Sequence, residues 1–254
     1  MAGRHPDECV RFPLLRQRWH SSAFLHWSYE PSVIAELLPR GLQPDVFDGR
    51  AWVSMTPFLA RNTRAAIGPP LPLWSTFPET NLRTYVIGPD GLDGIWFFTL
   101  EVGNPWFPLA TRPTIGAPYR WAKMAVEEGD TVSYRSSRVR ASGVGHHLEV
   151  HPDGERSPSA LDDFLTGRWR AYSEAPTGHL VSLAVEHEPW VLHDATPARV
   201  EETLREDAGI ADRRPPEVVH WSPGVNVALG NLGPVSRSLY SRADAGSVSA
   251  LGRQ

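Results

Sequence analysis

Lysine is nearly absent from this chain: of 25 basic residues in 254, only Lys123 is a lysine. Chemistry that needs a side-chain amine therefore has a single candidate. Cysteine is as scarce. Cys9 stands alone, which excludes an internal disulfide and suits a reducing cytoplasm. No apolar run reaches the roughly 18 residues of a membrane span. From Met1 to Arg18 the chain carries scattered Arg, Asp and Glu where a secretory signal would be apolar. The net charge of -4, with no basic run, argues against nucleic acid as the main partner. Nucleophile elbow, phosphate loop and dinucleotide fingerprint are all missing, which sets hydrolase-triad, nucleotide and nicotinamide chemistry aside. No cofactor is called for. His147, Glu149 and His151 alternate on one strand face at a spacing a metal could use, but they abut a Pro-Asp-Gly turn and lack a fourth ligand, so no metal site is read there.

What the chain does have is proline, glycine and tryptophan: 24, 21 and 10 residues. Pro and Gly throughout favour many short strands and turns over long helices, and the tryptophans can build a core or line a cavity. Pro31 to Leu38 reads as a short helix and Ala160 to Trp169 as another, capped by Ser159 with Asp162 and Asp163 in its first turn. Pro197 to Ala208 reads as an amphipathic helix stopped by Gly209. Strands are read at 51–58, 119–126, 131–139, 144–151 (ended by a turn at Pro152-Asp-Gly154) and 179–185, with a long proline-rich loop at 61–77. The expected organisation is an N-terminal extension at 1–20, one domain at 21–235 and a disordered tail at 236–254.

The most informative stretch is Phe77-Pro-Glu-Thr-Asn-Leu-Arg-Thr-Tyr-Val86. As a strand it puts Glu79, Asn81, Arg83 and Tyr85 on one face. Ile95 to Glu101 follows after a turn at Gly88-Pro-Asp-Gly91, apolar on both sides, and can pair back as a hairpin. A polar row beside a strand buried on both faces suggests an enclosed cavity. Glu79 and Arg83 then form either a structural ion pair or a site in which Arg83 grips a carboxylate and Glu79 moves a proton. Lys123 shares a strand face with Tyr119 and Trp121. An amine held among rings loses hydration, and with Arg120 close by its pKa would fall further, giving a nucleophile toward a ketone; on a strand end it would simply reach solvent. His26, among aromatic residues in Phe24-Leu-His-Trp27, is a general base or a hydrogen-bonded core residue. His187 and Trp190 read as a strand end docked on the core.

Several segments together resemble a known family. Pro39-x-Gly-Leu42, Asp48-Gly-x-Ala-Trp-Val53, Phe77-x-Glu-x-Asn-Leu-Arg-Thr-Tyr-Val86, Gly94-Ile-Trp-Phe-Phe98, Pro118-Tyr-x-x-Ala-x-Met124, Leu161 to Tyr172 and His187-x-Pro-Trp190 are similar to the YqjF-like domains of unknown function, bacterial members of the acetoacetate decarboxylase-like superfamily. The resemblance covers roughly Phe24 to Trp221. It implies a mainly β fold with flanking helices, a curved antiparallel cone or barrel around an internal cavity. The superfamily's founding enzyme forms a Schiff base through one lysine of a Pro-Lys-Lys segment. In the similar segment here Arg120 and Trp121 fall where that pair would be, and Lys123 lies downstream. Glu79 matches an active-site glutamate, while the founding arginine falls near Ser28. These departures argue against acetoacetate decarboxylation itself.

The resulting expectation is a cytoplasmic enzyme with lyase-type chemistry (decarboxylation, dehydration, aldol reaction or cyclisation) on a small keto acid or polyketide-like compound. Glu79, Arg83 and His26 would be catalytic, with Lys123 if it faces inward. Asn81, Tyr85, Phe97, Tyr119, Arg120 and Trp121 would bind substrate. The alternative is a non-catalytic binder of a small hydrophobic acid. A small molecule is the expected partner, with neither nucleic acid nor membrane, and a homo-oligomer is left open.

Overall fold

The computed structural model describes residues 3–7, 9–70, 75–109 and 116–235. The tail from 236 and loop residues 71–74 lie outside the described residues. In chain order the elements are β1 (Leu15–Tyr29), α1 (Pro31–Ala35), β2 (Gln43–Pro44), β3 (Val46–Phe47), β4 (Arg50–Ala65), β5 (Phe77–Ile87) and β6 (Asp93–Val102). There follow β7 (Tyr119–Glu127), β8 (Val132–Arg138), β9 (Gly145–Glu155), α2 (Ala160–Thr166), β10 (Arg170–Glu174), β11 (Leu180–His187), β12 (His193–Glu202), α3 (Leu204–Asp207) and β13 (Val218–Pro234). The fold is the expected mainly β one, a curved sheet with few helices. Among the described residues no helix is long and apolar enough to cross a membrane.

The strands form one 13-stranded sheet that closes on itself twice. One ring runs β6-β7-β8-β9-β12-β13-β1-β4-β5 and returns to β6; the other runs β11-β10-β6-β5-β4-β1-β13 and returns to β11. Strands β13, β1, β4, β5 and β6 belong to both. Side chains of a strand alternate between faces, so these five present one face to each ring. Toward the larger ring they send Leu25, Trp27, Val53, Met55 and Leu82, which pack with Tyr134, Leu148 and Val150 into the main core. Each such fully buried side chain stabilises the fold by about 1.5–3 kcal/mol. Toward the smaller ring they send Ser54, Thr56, Glu79, Asn81, Arg83 and Tyr85. A wall with a ring on either side explains why β5 is buried almost throughout.

The β5–β6 hairpin forms as the sequence implies, with Gly91 at φ +79° in its turn. Its ladder holds one irregularity: Leu82 pairs with Thr99 but Arg83 with Phe97, leaving Phe98 as an extra residue. Such a bulge inverts alternation. Ile95 and Phe97 face the smaller ring before it, and Leu100 faces that ring after it.

Three expectations are corrected. The segment from Pro197 is strand β12, paired with β9, and only Leu204–Asp207 is helical. Apolar spacing alone permitted the helix, but the exposed Arg199 and Glu201 belong to an outward strand face, where they pair at 2.8 Å. The Pro152 turn is absent: β9 runs on to Glu155, with Pro152 opposite Ala195 where the ladder is already irregular, a tolerated place for proline. The sheet also begins at Leu15, inside the stretch expected to be an extension. Helix α2 is capped by Ser159 as expected, here in a reciprocal capping box with Asp162, but it ends at Thr166, short of the expected Trp169.

Candidate active site

The smaller ring encloses a cavity of about 70 Å³. A water needs roughly 10–15 Å³ by this kind of measure, so the space suits a few waters or a small acid. Glu79, Asn81 and Arg83 of β5 reach it, with Phe97 and Leu100 of β6 and Tyr119 of β7. Gln17 and Trp19 come from β1, Thr166 and Arg168 from the end of α2 and just beyond, and His187 from β11.

Glu79 is buried and makes no hydrogen bond or ion pair with any described residue. Loss of water alone pushes its carboxyl up to about 8, because desolvation disfavours the charged form. The ion pair with Arg83 considered from the sequence does not form. Arg83 is also buried, at 6% exposure. Among the described residues it has no carboxylate partner, and its Nε is unsatisfied; Phe24 lies under the guanidinium at 5.9 Å. A buried, unpaired cation is costly and is the expected seat of an anion from outside. Asn81 Oδ1 and the neighbouring Thr56 Oγ1 are likewise unpartnered. The Tyr119 phenol is held well above its ordinary pKa by burial and by Glu79, so it keeps its proton and can donate.

His187, read from sequence as structural, is a cavity residue. Nδ1 lies 2.6 Å from the Glu188 carbonyl, which can only accept, so Nδ1 carries the proton and Nε2 is bare. Burial brings its pKa down to about 4, leaving the ring neutral among Trp19, Trp169 and Trp190. Arg168, also unremarked in the sequence as a pocket residue, is pinned by Asp45 at 2.6 Å and Asp93 at 3.0 Å. Only the Glu-Pro-Trp context hinted at His187, and nothing local distinguished Arg168.

Other expected residues stand elsewhere. His26 is wholly buried beside the cavity and does not line it. Its partners form a chain: Tyr85 donates to the Leu165 carbonyl (2.7 Å), Ser54 therefore donates to Tyr85 (2.5 Å), and His26 Nδ1 donates to Ser54 (2.5 Å). His26 Nε2 is left without a partner. Burial keeps the His26 ring neutral, helped by the nearby His220 and Arg83. Tyr85 is thus committed beneath α2 and is a structural residue rather than a cavity wall.

Lys123 is exposed and does not reach the cavity. The parity argument was sound, for Lys123 shares the face of Tyr119 and Trp121. The reason lies in topology. β7 belongs to the larger ring alone, and its ladder with β6 ends at Val102 opposite Trp121. Beyond that point the face is the outside of the molecule. Arg120 and Trp121 line an open groove next to the cavity, not the cavity itself. His147 and Glu149 are in contact at 2.9 Å toward the outside of β9.

A closed, strongly curved β sheet of this kind defines the class: an acetoacetate decarboxylase-like fold. The solved structures that resemble it bear this out at the level of fold. The enduracididine biosynthesis enzyme MppR complexed with pyruvate matches with a TM-score of 0.63 at 12% identity, over 91% of this chain and 94% of that one. An acetoacetate decarboxylase-like enzyme from Sphingomonas wittichii RW1 gives 0.61 at 16%, over 91% and 96%. Acetoacetate decarboxylase from Legionella pneumophila gives 0.59 at 13%, over 92% and 90%. Within that fold the chain belongs to DUF2071, a family of uncharacterized conserved proteins, which it matches over residues 16–226. It is 32% identical over 223 residues to the uncharacterized protein YqjF of Bacillus subtilis strain 168, covering 86% of this chain and 91% of that protein.

Proposed function

We propose that this protein is a cytoplasmic enzyme that binds a small keto acid and performs lyase-type chemistry by acid–base catalysis, without an imine. One observation carries the reading: Glu79 and Arg83 face a common buried cavity, and neither is ion-paired with a described residue. Arg83 would hold the substrate carboxylate by charge-assisted hydrogen bonds. Glu79, poised near neutrality, would take a proton from the carbon next to the ketone and return it. Tyr119 and the Asn81 amide would donate to the oxygen that becomes negative in the enolate. Enolisation of this kind is the first step shared by aldol addition, dehydration and cyclisation. The chain's sole lysine is exposed, so electron withdrawal must come from these hydrogen bonds.

The test is exchange of the methyl protons of pyruvate in heavy water, followed by proton NMR. The wild type should catalyse exchange; Glu79→Gln should lose at least 100-fold in rate while still binding the acid. Borohydride added during turnover should leave no adduct on Lys123. A trapped adduct, or exchange unaffected by Glu79→Gln, would sink the proposal. The absence of an inward lysine also favours a second reading, a binder that uses Arg83 alone. In that case pyruvate binds, nothing exchanges, and Glu79→Gln leaves affinity intact.

A further inference from the structure

Beside the cavity lies a groove of about 580 Å³, walled by the 105–109 connection after β6, the start of β7 and the turn after β8. Tyr119 lines both spaces. The groove exposes three large apolar side chains together: Trp106 at 53%, Leu109 at 67% and Trp121 at 41%. Exposed apolar residues scattered singly need no explanation, whereas a cluster rimmed by polar groups marks a binding surface. Its volume falls in the roughly 300–1,000 Å³ range of organic-ligand pockets, which the inner cavity does not reach.

We propose that this groove takes the apolar, ring-bearing end of the substrate whose carboxylate end enters the cavity. The proposal rests on the acid–base reading only for that carboxylate end. The Tyr119 side chain that the two spaces share argues for one molecule reaching both. The exposed Trp121 indole is an aromatic surface suited to a ring. Of the three arginines at the groove, Arg120, Arg138 and Arg140, Arg138 is already bound to Glu101 at 2.6 Å and Asp207 at 2.7 Å. The substrate class is thus a 2-keto acid with an aryl or comparably bulky apolar substituent, larger than pyruvate.

Isothermal titration with pyruvate and with 4-phenyl-2-oxobutanoate tests it, on the wild type and on Trp121→Ala, whose exposed position spares the fold. The phenyl compound should bind the wild type at least tenfold more tightly. Trp121→Ala should erase most of that advantage and leave the pyruvate affinity unchanged. Equal affinities in the wild type, an equal loss for both ligands, or no binding of either would overturn the proposal. So would a wild-type dimer that Trp121→Ala dissociates, with no preference for the phenyl group, which would assign the patch to self-association. A preserved phenyl preference without proton exchange would instead leave the groove standing and reject the acid–base reading.

Discussion

At the scale of the residue, Glu79 links the site to stability. Its folded pKa of about 8 lies above the ordinary carboxylate value of 4.5. The native state therefore keeps a proton that the unfolded chain gives up. The stability this confers is complete below about pH 4.5 and is lost as pH rises through 8. Glu79→Gln, which cannot ionise, escapes that loss. Its melting temperature relative to the wild type should climb between pH 5 and 8 and then level off, with a total effect on the order of a few kcal/mol. A flat difference across that range in thermal scans would contradict the burial-driven shift. Arg83 offers a companion case. Replacing a buried, unpaired cation by an apolar side chain of similar length removes a desolvation cost. Arg83→Met should thus raise the melting temperature while abolishing affinity for acids, a trade often found at functional sites. Thermal scans and titration calorimetry on one sample would read both.

At the scale of the element, α2 is the helix that reaches the site. Its end delivers Thr166 and, just beyond, Arg168 to the cavity, and its Leu165 carbonyl anchors Tyr85. Ser159→Ala removes one half of the capping box and should cost about 1 kcal/mol in urea unfolding. Loss of much less would mean that Asp162, held also by Arg156 at 3.0 Å, caps the helix unaided. The sequence was most legible at this level where local chemistry decides. Ser159 with Asp162 fixed the helix start, and the Gly88–Gly91 turn fixed the hairpin. It was least legible where distant pairing decides. Pro197 to Glu202 is a strand because β9 lies beside it, a partner roughly 50 residues away that no local period records.

At the scale of the whole molecule, the polar row on β5 could be read as facing an enclosed space, and Glu79, Asn81 and Arg83 do so. Where that space ends could not be read. Tyr85 stays on the same face yet passes under a helix, and Lys123 keeps its parity on a strand outside the ring to which the cavity belongs. His187 enters because β11 closes the sheet against β13, a contact set by topology alone. The resemblance carried the fold, and strand parity carried the row. The limits of the pocket came from how the sheet is joined.

The five strands common to both rings carry one further consequence. Along each of them, one set of residues is committed to a dry interior and the interleaved set to whatever the pocket must hold. Divergence within such a fold must therefore proceed in half-strands, recoding alternate positions while their neighbours stay fixed. A bulge like the one at Phe98 exchanges the two sets beyond it, so that one inserted residue changes pocket chemistry and core packing in a single step.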